Sequence, residues 1–175
     1  MLVETELVMI VQHDRALRGA VNALDVCETM LSNANVHYVG FATSSSINHA
    51  HRMRSKYQID VGPGLVTSLQ GQPLCPLLFW YDSTHIAKVR HYLDFAFGWH
   101  RPEQPFRLCT GDFFEDKLGQ FELKEIKSRG MDAHAKYGTY VLEADEPLVQ
   151  HWHGRKVGTS SARTIDIYTR RTPTP

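Results

Sequence analysis

Asp112, Glu122 and Lys124 are the side chains of this sequence whose types and spacing best suit a chemical step. The run from Gly111 to Ser128 reads as a β-hairpin turning near Lys117-Leu118, which sets Asp112 opposite Glu122. Alternate residues of a strand share a face. One side would therefore carry Thr110, Asp112, Phe114, Gln120, Glu122 and Lys124, and the other Cys109, Phe113, Phe121, Leu123 and Glu125. Two carboxylates can hold Mg²⁺ through hard oxygen ligands. The ion then polarises a phosphate and acidifies a bound water, while an ammonium group orients or deprotonates that water and offsets developing charge. Phosphodiester hydrolysis can use that set.

Asp112, nine intervening residues and then Glu122-Leu123-Lys124 also make the stretch 112–128 resemble the PD-(D/E)xK nucleases, the family of the small type II restriction endonucleases. The resemblance implies a metal-dependent nuclease with Asp112 and Glu122 as metal ligands, Lys124 as the catalytic lysine and Mg²⁺ as cofactor. Gly111 stands where the family has a proline. A shifted version of the motif pairs Asp116 with Glu125-Ile126-Lys127.

Histidine supplies two further candidates among the ten in the chain. His151-Trp152-His153 on a strand would point both imidazoles to one side, with Trp152 turned into the core. Glu143 on the preceding strand would add a carboxylate. A His/His/acid set of this kind is what non-haem iron and zinc sites use, so a His-based metalloenzyme is an alternative reading. His49-Ala50-His51, followed by Arg52, Arg54 and Lys56, puts imidazole and basic groups beside a Ser-rich segment. His49, His51, Arg52 and Arg54 would suit contact with a phosphate backbone, which makes nucleic acid the expected partner.

These residues need elements to hold them. Leu7–Val11 is a continuous aliphatic run, the pattern of a buried strand over 7–12. Asp14 is placed to cap a helix over 15–32, with Leu17, Val21, Leu24 and Leu31 at helical spacing, and 36–42 returns as a strand. The pattern repeats as a strand at 77–82, a helix over 84–97 ending at Gly98, and a strand from Phe106. Between the two units, 44–72 is too long for a plain connection and should hold a strand of its own or act as a functional loop. Strands are then expected at 107–114, 120–128, 137–143, 148–156 and 164–170, with a disordered tail over 172–175. The expected fold is α+β: two β-α-β units, a ferredoxin-like or related sheet with helices on one face, running into a C-terminal antiparallel β-meander. Residues 1–171 would form one domain.

Composition bounds the partners. Nineteen basic residues balance nineteen acidic ones, so any nucleic-acid binding needs a local patch rather than an overall field. Cys27, Cys75 and Cys109 are odd in number and far apart, and show no zinc or disulfide spacing, which points to a reducing, cytoplasmic compartment. The opening Met1–Glu6 has no basic region and Leu7–Val11 is too short for a leader or a span, so no membrane association is expected. A non-catalytic binding or regulatory module, homodimeric through sheet or helix faces, is the remaining alternative.

Overall fold

The structure, a computed structural model, describes residues 3–98 and 110–152. Its elements run β1 (Leu7–Ile10), β2 (Arg15–Leu17), α1 (Ala23–Ser32), β3 (Tyr38–Phe41), α2 (His49–Tyr57), a 3-10 turn (Gly62–Gly64), β4 (Val66–Thr67), β5 (Pro73–Pro76), β6 (His85–Lys88), α3 (Val89–His91), a π-helical turn (Tyr92–Ala96), α4 (Phe114–Arg129), a second 3-10 turn (Met131–Lys136), β7 (Thr139–Leu142) and β8 (Val149–His151). Six strands form one mixed sheet in the order β1-β6-β3-β7-β5-β4, and β2 pairs β8 separately. β3 and β7 pair in parallel, Tyr38 opposite Thr139, while the other strand pairs among the described residues are antiparallel. β6 runs antiparallel to both β1 and β3 and lies between them.

The architecture is mixed α+β, with helices covering both faces of the sheet rather than one. The alternation of strand side chains decides this. Val39, Phe41, Tyr140, Leu142 and Ile86 face α1 through Val26 and Met30. Tyr38, Cys75, Ala87 and Val141 face the opposite layer, where Met53 of α2 and Leu118, Leu123 and Ile126 of α4 close the second core. The central strands β3 and β7 are buried along their full length, as strands covered on both faces must be.

Several expected elements differ. The helix expected over 15–32 is a short strand followed by α1, capped by Asn22 accepting from Asp25 N rather than by Asp14. Its inward residues are Asp25, Val26, Thr29 and Met30, while Leu24 and Leu31 of the supposed apolar stripe are 65% and 53% exposed. The helix expected over 84–97 opens as β6, and only Val89–Ala96 is helical. The strand expected at 77–82 is an irregular crossing after Pro76. Leu77 N–H still donates to Thr139 O at 2.8 Å, but further along two backbone donors go to side chains: Leu78 N–H to His49 Nε2 at 3.3 Å, and Asp82 N–H to Glu115 Oε2 at 3.2 Å. Segment 44–72 holds α2, a 3-10 turn and β4.

The largest correction concerns residues 110–128: the strand expected at 120–128 is part of α4, and residues 110–113 of the one expected at 107–114 form no strand but lead into that helix. Phe121-Glu122-Leu123-Lys124 alternates like a strand, yet Leu118, Glu122, Leu123 and Ile126 also recur at the helical period and are the buried set. Glu115 and Asp116 sit in the first turn, Lys127 and Arg129 in the last, each favourable to the helix dipole. Gly130, at φ 80°, ends the helix in a conformation that side chains disfavour. Gly119 lets the helix press against the crossing, since a Cβ there would lie 3.1 Å from Trp80 N. Among the described residues the expected meander does not form either. β7 lies between β3 and β5, and β8 belongs to the other sheet. The expected strand at 164–170 and the tail lie outside the described residues, as do residues 107–109. Among the described residues no helix is long and apolar enough to cross a membrane.

Candidate functional site

The helix separates the three residues that a hairpin would have gathered. Successive residues of an α-helix turn by about 100°, so Glu122 and Lys124 project to nearly opposite sides. Glu122 is fully buried, and Lys124 is exposed. Asp112 lies on the turn before α4, its Oδ1 3.6 Å from Lys117 Nζ. The shifted set fares no better: Asp116 and Lys127 are exposed, and Glu125 is bound by Arg129, Lys136 and Tyr137.

Glu122 sits instead in a sealed polar cluster between α4, β7 and the crossing. Its Oε1 meets Thr139 Oγ1 at 2.5 Å, and Thr139 Oγ1 lies 3.1 Å from Leu77 O. One hydroxyl hydrogen cannot serve both acceptors. A protonated Glu122 resolves this by donating to Thr139, which then donates to Leu77 O. Burial acts in the same direction, pushing the carboxyl up to about 8 against the opposing Thr139 hydrogen bond. His134 donates from Nε2 to Thr139 O at 2.8 Å. His49, at the first turn of α2, is buried too, and burial, with the Arg52 charge, holds it down at about 4. Because its Nε2 accepts from Leu78 N–H, the proton is on Nδ1. His49 is therefore a clamp between α2 and the crossing, not a substrate contact.

The other expected residues scatter. His51 is exposed on α2, and Arg54 pairs with Asp60 at 2.9 Å. His151 Nε2 lies 2.8 Å from Asp14 Oδ2 at the end of the β2–β8 pair, so its carboxylate is Asp14 rather than Glu143, which follows β7 of the other sheet. Along β8 Val149 and His151 face inward and Gln150 outward, so the alternation turns Trp152 outward, 59% exposed and less buried than His151, opposite to the expected side. His153 lies outside the described residues. Among the described residues no group of three or more His, Cys, Asp or Glu side chains could hold a metal ion. The residues present do not fit Mg²⁺ as the motif implies it, because Glu122 is closed to solvent and Asp112 is engaged elsewhere.

What the fold does assemble is an open groove between α2 and α4. Arg52, Lys56 and Tyr57 of α2 face Glu115, Asp116 and Gln120 of α4 across Phe79 and Tyr81, around a cavity of about 260 Å³. The rings form a ladder: Tyr57 to Phe79 at 5.7 Å, Phe79 to Tyr81 at 6.2 Å, and Tyr81 to the clamp histidine His49 at 6.2 Å. Lys127 Nζ stands 4.4 Å over the Tyr57 ring and Lys56 Nζ 5.1 Å from it, both within cation–π range. Beyond Gln120 the groove continues into a shallow depression of about 350 Å³ that includes Lys124, Lys127 and Ser128. Arg52, Lys56, Lys124 and Lys127 form no ion pair among the described residues. Four cations against Glu115 and Asp116 leave the groove at 4 − 2 = +2. Burial raises the Glu115 carboxyl, opposed by its bond from Asp82 N–H.

Of the residues expected to touch substrate, Arg52 lines the groove, and Lys124 lines its continuation. Tyr57, Phe79, Tyr81 and Lys127 were not legible as a site. Phe79-Trp80-Tyr81 reads as a buried strand, and Lys127 is 70 residues from Tyr57 in sequence. Compared with protein families, curated proteins and solved structures, the chain matches none.

Proposed function

We propose that this protein binds single-stranded nucleic acid in the α2/α4 groove, as a binding module without catalysis. The observation that carries the proposal is the half-exposed ring ladder Tyr57–Phe79–Tyr81 interleaved with Arg52, Lys56 and Lys127. Aromatic faces accept any base, at roughly 1–3 kcal/mol per stacked base, while basic side chains track the phosphates. A cavity of about 260 Å³ suits a single base, and Glu115 and Asp116 on its wall can accept from an exocyclic amino group. The balanced overall charge agrees with a local patch of this kind.

The test is fluorescence anisotropy with a labelled single-stranded oligonucleotide across a salt series. Four phosphate contacts predict a log–log slope of about −3, at about 0.7 per neutralised phosphate. Absence of binding at low salt, or equal binding to Tyr57→Ala, would exclude the groove. Adding Mg²⁺ to the same samples tests the nuclease reading that the motif implied. Cleavage that disappears in Lys124→Ala would restore it.

A further inference from the structure

The two walls of the α2/α4 groove differ in kind. Arg52 and Lys56, on the α2 side, carry hydrogen-bond donors and no acceptor. Glu115 and Asp116, on the α4 side, carry as carboxylates acceptors and no donor. All four line the same cavity of about 260 Å³, together with the Phe79 and Tyr81 rings.

These groups are spare. None of the four forms an ion pair among the described residues, with one another or with any other side chain. Glu115 is held in place all the same, because its Oε2 accepts from Asp82 N–H at 3.2 Å and so ties α4 to the crossing. A carboxylate offers about four lone-pair sites, and this bond uses one. Burial pushes the Tyr81 phenol up, and Arg52 and Glu115 then act on it in opposite senses, so both charges stand close to that ring.

Ring faces accept any base, so selection falls to the base edges. Guanine presents two adjacent acceptors, O6 and N7, and two adjacent donors, N1–H and the N2 amino group. An arginine takes the first pair in a bidentate contact, and a carboxylate can take the second pair through its two oxygens. Adenine and cytosine each set one amino group beside a ring nitrogen acceptor, which would face a carboxylate oxygen. Thymine and uracil have one N–H between two carbonyls.

We infer that the groove reads guanine, Arg52 holding O6 and N7 while Glu115 holds N1–H and the N2 amino group. The inference rests on the reading of the groove as a nucleic-acid site, and adds selection at the base edge to stacking that is indifferent to the base.

The test is competition anisotropy at pH 8, which keeps the Glu115 carboxyl, raised by burial, ionised. The probe is a short oligothymidylate with one central position varied. Guanine there should bind about tenfold tighter than thymine, adenine or cytosine. Hypoxanthine, which lacks the N2 amino group, and 7-deazaguanine, which lacks N7, should each lose several-fold. Each residue is then matched to its atoms. Glu115→Gln keeps an acceptor for Asp82 N–H but turns an amide donor towards the base, and should abolish the preference for guanine over hypoxanthine. Arg52→Met should abolish the preference for guanine over 7-deazaguanine. The readout is a ratio of affinities within one variant, and a loss of fold, which lowers both alike, does not mimic it. Tight binding of every strand with no preference for guanine overturns this inference and leaves the single-strand reading standing, as does a preference that survives both variants. If no strand binds, calorimetric titration with guanosine monophosphate decides. Saturation that Glu115→Gln removes would keep the guanine site and make the free nucleotide its source, while no saturation removes both readings.

Discussion

The two sides of α4 carry opposite kinds of chemistry. Inward, Glu122 meets Thr139 and His134 in a cluster closed to water, with the clamp His49 on the neighbouring helix. Outward, Gln120, Lys124 and Lys127 open onto solvent beside the Tyr57 ring. By residue type the inner set is the more catalytic, with a carboxyl pushed up to about 8 and two imidazoles. It has no access, and its polar atoms mostly serve one another and the backbone. The outer side chains look like an ordinary solvated helix face until the fold brings aromatic rings from α2 and the crossing beside them. Access and neighbours, not residue type, separate a structural cluster from a site.

The comparison breaks most visibly on stability. Leu118 is fully buried on the inner face, and Leu118→Ala should cost about 2–5 kcal/mol in denaturant unfolding. On the outer face Lys124→Ala should stay within about 0.5 kcal/mol. Comparable losses from both would mean that the two faces are not distinct.

The inner carboxyl makes a sharper claim about pH. A folded-state value near 8 against 4.5 unfolded means that folding takes up a proton between those limits. The stabilisation is fully present below about 4.5 and is lost as pH rises through about 8, at up to roughly 1.4 kcal/mol per pH unit. Glu122→Gln keeps a donor for Thr139 Oγ1 in its side-chain amide and has no proton to lose. Urea midpoints at pH 5, 6.5 and 8 should converge for the variant and fall steadily for the parent. Parallel lines for the two proteins would show that Glu122 is ionised in the fold.

On the outer face the effects are on binding alone. Tyr57→Ala should weaken single-stranded oligonucleotide by about tenfold, one stacked base. Lys127→Gln should cost less at moderate salt and reduce the magnitude of the salt slope by about 0.7. An unchanged slope would place Lys127 away from the phosphates.

Three of the six strands of the main sheet were legible, because short apolar runs with turn residues on both sides have few alternatives. β1, β3 and β7 fall within the expected ranges. The helices were harder where two periods overlap. Leu24 and Leu31 mark a stripe that proves to be the solvent face of α1, while Asp25 is buried because Ser68 Oγ and Gln70 N–H satisfy its carboxylate. No local pattern announces a partner more than forty residues away.

The sequence by itself determined the mixed α+β composition, the apolar strand cores and the basic character of 49–57. The tertiary structure decided whether 114–129 is helix or hairpin, and with it every distance among Asp112, Glu122 and Lys124. Residues 121–124 satisfy a two-residue and a 3.6-residue repeat equally well, so local preference leaves the choice open. The layer that Leu118, Leu123 and Ile126 could bury against, with Gly119 admitting Trp80 to the helix surface, selected the helix. Burial energy is settled between segments distant in the chain, and an alternation read along one segment does not contain it.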